Sequence, residues 1–434
     1  MGLGLVGVHA QEAGSGAASP EPPGPTVNAA DTCWVLASTA LVLFMTPGLA
    51  LFYGGLVRAK NVLSTMMHSF AAMMVVSLVW VLWGYSLAFG EDLFGGVVGG
   101  FDHLFLKDVS WDTPRSDLGV TIPHLLFCMY QAMFAIITPA LISGAFAERM
   151  KFSSFAVFLV LWSTLVYSPI AHWVWHPSGW LAGLGVQDFA GGTVVHISSG
   201  IAALAAALVL GKRKGYPHTP MIPHSMPWCA LGAGILWFGW FGFNGGSALA
   251  SNGLAVVAFS NTHIAAAAAA LAWFSAEWIL RGKGTMLGLA TGAVAGLVGI
   301  TPAAGFVTPI SAIFVGGITS LVCYFFVSKK ESFGYDDSLD AFGVHGVGGT
   351  TGAILTGVFA YQPLGLALFL NGEISKGTLI MRQVLGAGVT ILYAFVASLI
   401  LLKVVDALMG LRVSPDAEDS GLDVDQHGEG GYTF

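Results

Sequence analysis

Charge is scarce in this chain. Only 9% of its 434 residues are Asp, Glu, Lys or Arg, against about 25% in soluble domains, which excludes an ordinary water-soluble globule. Cysteine is scarce as well: Cys33, Cys128, Cys229 and Cys323 lie far apart in or beside apolar segments. They show no CxxC or Cys/His spacing that would hold a metal or a disulfide framework, so they read as small buried side chains. No basic patch exists beyond short loop clusters, and the net charge is −7, which leaves nucleic acid without a binding surface. HExxH, GxSxG, an ATP-binding motif and paired carboxylates within apolar stretches are all missing, so nothing marks an enzyme. No cofactor is expected.

What fills the chain instead is hydrocarbon, at 55% hydrophobic residues. A membrane helix takes about 20 mostly apolar residues, and eleven stretches qualify, near 31–57, 66–90, 121–147, 153–173, 191–210, 226–247, 252–280, 284–300, 304–328, 341–361 and 380–409. The expected fold class is therefore an all-α polytopic membrane protein of eleven transmembrane helices. Basic residues collect on the cytoplasmic side of such proteins. Arg58, Lys60, Arg149, Lys151, Lys212, Arg213, Lys214, Arg281, Lys283, Lys329, Lys330, Lys403 and Arg412 fall on one side of the eleven-span arrangement. Lys107, Arg115, Lys376 and Arg382 fall on the other, a split of 13 to 4 among 17. The split places the N-terminus outside and the C-terminus inside.

Three regions follow. Residues 1–30 combine a short apolar start, MGLGLVGVHAQ, which resembles the end of a signal peptide, with a Gly-, Ala-, Ser- and Pro-rich extracellular lead. Residues 31–409 hold the spans. Residues 410–434 form a tail with Asp416, Glu418, Asp419, Asp423, Asp425 and Glu429, whose plain reading is a solvated acidic segment.

Two histidines stand out, His196 in GGTVVHISSG and His345 in FGVHGVGG, each deep in an apolar stretch. Ionisable groups at such positions mark a path for a proton, an ion or a small polar solute, although a lone buried histidine is more commonly a satisfied structural residue. They occupy the fifth and tenth spans, and ALFYGGLV (50–57) in the first span has an echo in FGFNGGSA (241–248) in the sixth. Two sets of five helices in opposite orientation would form an inverted repeat with its site between the halves. An eleventh helix follows the repeat.

The chain resembles the ammonium transporter family, Amt/Mep/Rh, and its Amt branch in particular. The resemblance is carried by LVLFMTPGLALFYGGLVRAKNVL (41–63), GAFAERMKFS (144–153), DFAGGTVVHI (188–197), GWFGFNGGSA (239–248), FGVHGVGG (342–349) and GLRVSPDAEDSGLDVDQHGE (410–429). It implies a plasma-membrane ammonium transporter with the inverted five-plus-five fold, a homotrimer with one pore per subunit, and a tail that answers to PII-type signal proteins.

The physical problem for such a protein is a cation in hydrocarbon. A charge at the bilayer centre costs roughly 2.5–3.5 kcal/mol on insertion scales, and a cation–π contact returns about 0.5–2. Capturing ammonium at the mouth, removing its proton and conducting neutral ammonia avoids the barrier. The resemblance implies an outer binding cage of Trp175, Phe134, Tyr130 and Ser247, with Asp188 beneath it. It also implies a gate of stacked Phe134 and Phe243, and a hydrogen-bonded pair of His196 and His345 that relays a proton. Without it, Trp175 reads as an interfacial tryptophan like Trp173 and Trp180, and any one of 29 phenylalanines as core or lipid-facing. Asp188 is divided between capping helix amides and stabilising the cation, while Asp340, five residues before His345, reads as a helix N-cap. His68, His124, His172, His176 and His263 are assigned no place on the path. The alternatives are a neutral ammonia channel of the Rh kind, or an ammonium sensor with little transport.

Overall fold

The computed structural model describes residues 26–361, Leu364 and 374–432. The expected signal-peptide remnant at 1–10, and the lead as far as residue 25, lie outside the described residues. The protein is built from helices whose lengths match an apolar bilayer. In chain order these are α1 (Ala29–Leu56), α2 (Ala59–Phe89), α3 (His124–Phe146), α4 (Phe152–Gly183, broken after Trp175), α5 (Gly192–Leu210), α6 (Met226–Ala248) and α7 (Gly253–Arg281). Then come α8 (Met286–Ile300), α9 (Pro309–Lys329), α10 (a π turn, Phe342–Gly346, continuing as Val347–Phe359), and α11 (Lys376–Met409). Nine of these, among the described residues, are long and apolar enough to cross a membrane by themselves; α8 and α10 are shorter than the stretches expected at 284–300 and 341–361.

Each start has a local cause. The Asn28 side chain accepts the Ala30 and Asp31 amides at the head of α1, Ser225 accepts Trp228 at α6, and Thr308 accepts Ser311 at α9. These side chains satisfy amides that a helix cannot pair internally.

Corresponding members of the two sets of five helices meet. α1 lies along α6, and α5 crosses α10, the arrangement that an inverted repeat requires. α3 is buried along nearly its whole length, whereas Leu36, Phe70, Met74, Leu78, Leu271 and Leu392 expose apolar side chains on outer helices. Such a surface suits lipid, where backbone polar groups must be paired within the helices. Cys128, Cys229 and Cys323 are buried as expected, but Cys33 is exposed: it sits one turn into α1, where that helix has few neighbours.

The two ends differ in chemistry. The N-terminal face holds the long 90–123 connection with a short hairpin, β1 (Asp92–Leu93) and β2 (Val98–Gly99). The opposite, tail face gathers the basic loops. There Glu148 accepts the Arg58 amide and Nε at 2.8 and 3.0 Å, Asn61 Nδ2 at 3.0 Å and Arg213 Nη1 at 3.1 Å. Arg213 also holds Asp336 at 2.8 Å. Burial pushes the Glu148 carboxyl up, but the Arg58 hydrogen bonds and the Arg213 and Arg58 charges outweigh it and leave the group below its ordinary value.

The tail is docked rather than solvated. After α11 the chain forms α12 (Pro415–Ser420) and α13 (Leu422–His427). Asp423 accepts the Ser64 amide at 2.8 Å, Asn61 accepts the Leu422 amide at 2.8 Å, and Lys60 Nζ donates to the Glu418 and Asp419 carbonyls at 2.7 and 2.6 Å. Lys214 pairs with Asp419, and Arg412 with Glu418.

Candidate conduction pathway

On the N-terminal face a cavity of about 140 Å³ reaches inward between α3, α4 and α6, lined by Tyr130, Gln131, Phe134, Trp175 and Ser247 among others. Tyr130 and Phe134 are four residues apart on α3 and share a face. The Tyr130 hydroxyl faces the Gly242 and Phe243 carbonyls at 2.9 and 3.0 Å, to which it donates, and lies 3.2 Å from Ser247 Oγ. Ser247 Oγ in turn donates to the Phe243 carbonyl at 2.8 Å. Its one proton is therefore engaged, and its lone pairs remain to accept a hydrogen bond from a solute. Trp175 is fixed edge-on to Phe134, and its indole N–H donates to the Asp188 carbonyl at 3.1 Å.

From this cavity a file of rings runs into the protein. Centroid separations are 5.7 Å from Trp175 to Phe134, 4.4 Å from Phe134 to Phe243, 6.0 Å from Phe243 to His196 and 5.3 Å from His196 to His345. All five side chains of the file were singled out from sequence, and the fold brings them together. Trp240, one turn before Phe243, lies against His196 at 5.5 Å.

The histidines meet through Nδ1 on each ring, 3.3 Å apart. One nitrogen must donate and the other accept, so one ring is protonated at Nδ1 and the other at Nε2. Both rings are buried, and His196 Nε2 has no hydrogen-bond partner. They border a chamber of about 10 Å³ walled by Leu49, Leu141, Leu236, Trp240 and Phe243, room for about one water-sized molecule. Beyond it, His345 also lines a cavity of about 450 Å³ on the tail face, together with Tyr53, Glu277, Tyr324 and Asp340.

Backbone geometry makes this meeting possible. Each histidine lies in a π turn, Gly192–Ile197 or Phe342–Gly346, a feature frequent at functional sites. Gly191, at φ +112°, turns the chain into the first of these in a conformation that a side chain would strain. The Asp188 carboxylate then accepts four successive amides, Gly191, Gly192, Thr193 and Val194, at 2.6 to 3.0 Å. Its oxygens are committed to the helix end, a structural duty that its negative charge shares with the dipole.

The second histidine has the same support. Asp337, eight residues before His345 as Asp188 is before His196, accepts the Ala341 and Phe342 amides at 3.1 and 2.8 Å. This corrects the reading of Asp340 as the N-cap: Asp340 sits at φ +62° and pairs with Lys330 at 2.6 Å.

The model of the Ammonium Transporter Family matches residues 33–432. The chain belongs to that family. It is 51% identical over 403 residues to an ammonium transporter of Bacillus subtilis, covering 93% of this chain and 98% of the relative. It is 52% identical over 406 residues to one of Aquifex aeolicus, with 93% of each covered. Among solved structures, that of Candida albicans Mep2 superposes with a TM-score of 0.83 at 38% identity, covering 90% of this chain and 88% of that one. A sensor Amt protein superposes at 0.84 with 32% identity, covering 92% and 98%.

In this ammonium transporter His68, His124, His172, His176 and His263 stand apart from the ring file. His68 packs among Phe146, Phe152 and Phe155, His124 meets the Tyr85 hydroxyl, His172 bridges Ala88 and Asp92, and His263 lies beside Trp237. His176, stacked on His172, accepts the Ser178 amide. Sequence reading missed Trp240, Gln131 and Asp337. Only Asp337 carried a usable signal, the repeated spacing of eight.

Proposed function

We propose that the transporter captures ammonium in the cavity bounded by Trp175, Phe134, Tyr130 and Ser247, above Asp188, and passes ammonia between Phe134 and Phe243 while its proton is handed to the His196–His345 pair, which relays it toward the tail-face cavity. The observation that carries this reading is the Nδ1 to Nδ1 contact at 3.3 Å, buried directly beneath the phenylalanine pair. An isolated buried histidine holds a proton at a cost, whereas two that share a hydrogen bond pass it by exchanging tautomers. Trp175 and the free lone pairs of Ser247 favour capture of a cation over entry of a neutral gas. Ammonia then crosses the narrow chamber without carrying charge through hydrocarbon.

In this reading residues 31–409 form eleven spans, five and five inverted with α11 added, and the N-terminal face is outside. The basic loops gathered on the tail face support that orientation. The protein acts as a homotrimer in the plasma membrane without a cofactor, and the 410–434 tail, docked as far as residue 432, is the contact region for a PII-type signal protein. If the proton crosses with the ammonia, a potential of 100 mV contributes about 2.3 kcal/mol per ion. The Bacillus subtilis and Aquifex aeolicus relatives are ammonium transporters, which fits a protein that is not an enzyme. The likeness to a sensor Amt protein keeps a second reading in view, binding with little transport.

Purified protein in liposomes, given an ammonium pulse beside a His196→Ala, His345→Ala variant, separates these readings. Transient current in the native protein and none in the variant supports the proposal. Internal pH change without current points to a gas channel, and ammonium binding with neither signal to a sensor.

A further inference from the structure

We infer that Gln131 is a second hydrogen-bond acceptor for the captured ammonium and helps to set the preference for it; this rests on the capture site proposed above. Gln131 lines the same cavity as Tyr130, Phe134, Trp175 and Ser247. It lies three residues before Phe134 on α3, so those two side chains share a face of that helix, as Tyr130 and Phe134 do. Its side chain is nine-tenths buried, and its carboxamide oxygen has no hydrogen-bond partner.

An unpaired carboxamide oxygen is costly when buried, and buried polar groups are satisfied in nearly all proteins. α3 could pack a leucine there more favourably. What the cavity lacks is acceptors. Ammonium presents four N–H groups, the rings of Trp175 and Phe134 offer π faces, and Ser247 offers lone pairs on one oxygen. Tyr130 adds little, because its hydroxyl is engaged with two carbonyls and Ser247. The terminal amide torsion of glutamine is broad and roughly two-fold, so a half-turn brings either end of the carboxamide to the cavity. With its oxygen inward, Gln131 meets an N–H that Ser247 does not. An alkali cation has no N–H to direct, and methylammonium has one fewer.

The test is the half-saturating concentration for current in proteoliposomes, for ammonium and for methylammonium, in native protein, Gln131→Met, Gln131→Glu and Ser247→Ala. Methionine fills a similar shape without a strong acceptor. Gln131→Met is expected to raise the value for ammonium about tenfold, to raise that for methylammonium less, and to leave the maximal current in place. Gln131→Glu, which keeps an acceptor, is expected to return the value to native or below. A Gln131→Met value within twofold of native, with Ser247→Ala raised, removes Gln131 and leaves the capture site standing; neither raised removes the capture site itself. A loss of maximal current at unchanged half-saturation shows a structural role only and overturns the inference. Should the methionine variant fail to fold, Gln131→Leu, which also lacks an acceptor, carries the same comparison.

Discussion

Gly200 of α5 lies so close to Gly346 of α10 that a Cβ built on Gly200 would overlap the Gly346 amide nitrogen. This crossing is one turn past His196 and one residue past His345, so it fixes how near the two imidazoles come. The overlap would be with backbone, which cannot rotate away. Gly200→Ala is expected to push the helices apart, cost about 1–3 kcal/mol as overpacking does, and abolish the transient current by separating the rings. The melting temperature and the current are the checks. Native current in a fully stable Gly200→Ala protein would show that the rings need not touch.

Asp188 and Asp337 cap equivalent helix ends but differ in what lies nearby: the Asp188 carbonyl holds the Trp175 indole, while Asp337 stands beside Asp340 and Lys330 on the tail face. Replacing either by Asn keeps an oxygen for some of the amides and removes the charge. If Asp188 serves capture as well as capping, Asp188→Asn should lose transport by tenfold or more, while Asp337→Asn should chiefly lose stability, about 1 kcal/mol as caps do. Equal loss of transport in both would make Asp188 a cap alone.

How much of this was legible beforehand depends on what kind of signal each part leaves. Span positions follow from the length of apolar stretches, so the helices fall close to where they were expected: α8 starts two residues late, at Met286 after its Thr285 cap, and α10 stops two residues early, at Phe359. His196 and His345 announce themselves as ionisable groups in hydrocarbon. Phe134 and Phe243 do not; only their register within longer motifs separates them from the other phenylalanines, and Trp240 had no such marker. Asp337 was passed over for Asp340, since composition cannot tell which of Asp336, Asp337 and Asp340 turns toward free amides; only the spacing of eight, shared with Asp188 and His196, singles it out. In the tail acidity alone suggests solvation, and only the resemblance implied packing; Glu418 and Asp423 are buried against arginine and backbone amides.

Acid should loosen the tail face. Glu148 and Asp336 are both held below their ordinary values: burial raises each, and the paired arginines lower each further. A carboxylate depressed on folding contributes stability that is present above its unfolded value, about 4.3 for Glu and 3.9 for Asp, and is lost as pH falls through the folded value. Thermal stability in detergent should therefore fall below about pH 4, and Glu148→Gln should already be destabilised at pH 7, by about 3 kcal/mol, because Arg58 and Arg213 lose their shared partner. An unchanged melting temperature for Glu148→Gln at pH 7 would rule this network out as a source of stability.

The docked tail gives the last expectation. Asp423 accepts the Ser64 amide where the opening 3-10 turn of α2, Ala59–Asn61, gives way to α-helix at Val62, and Asn61, the last residue of that turn, accepts the Leu422 amide. One side chain from each partner holds the other's backbone, so removing Asp423 frees both the helix end and the tail. Asp423→Ala is expected to cost about 1 kcal/mol at the helix cap and to raise amide exchange across 410–432 and at residues 62–64 together, with the ring file unaffected. Exchange rising in the tail alone would mean that α2 holds its own first turn. Exchange rising in neither would mean that Lys60, through the Glu418 and Asp419 carbonyls, anchors the segment by itself; Lys60→Ala in the same background would then release it.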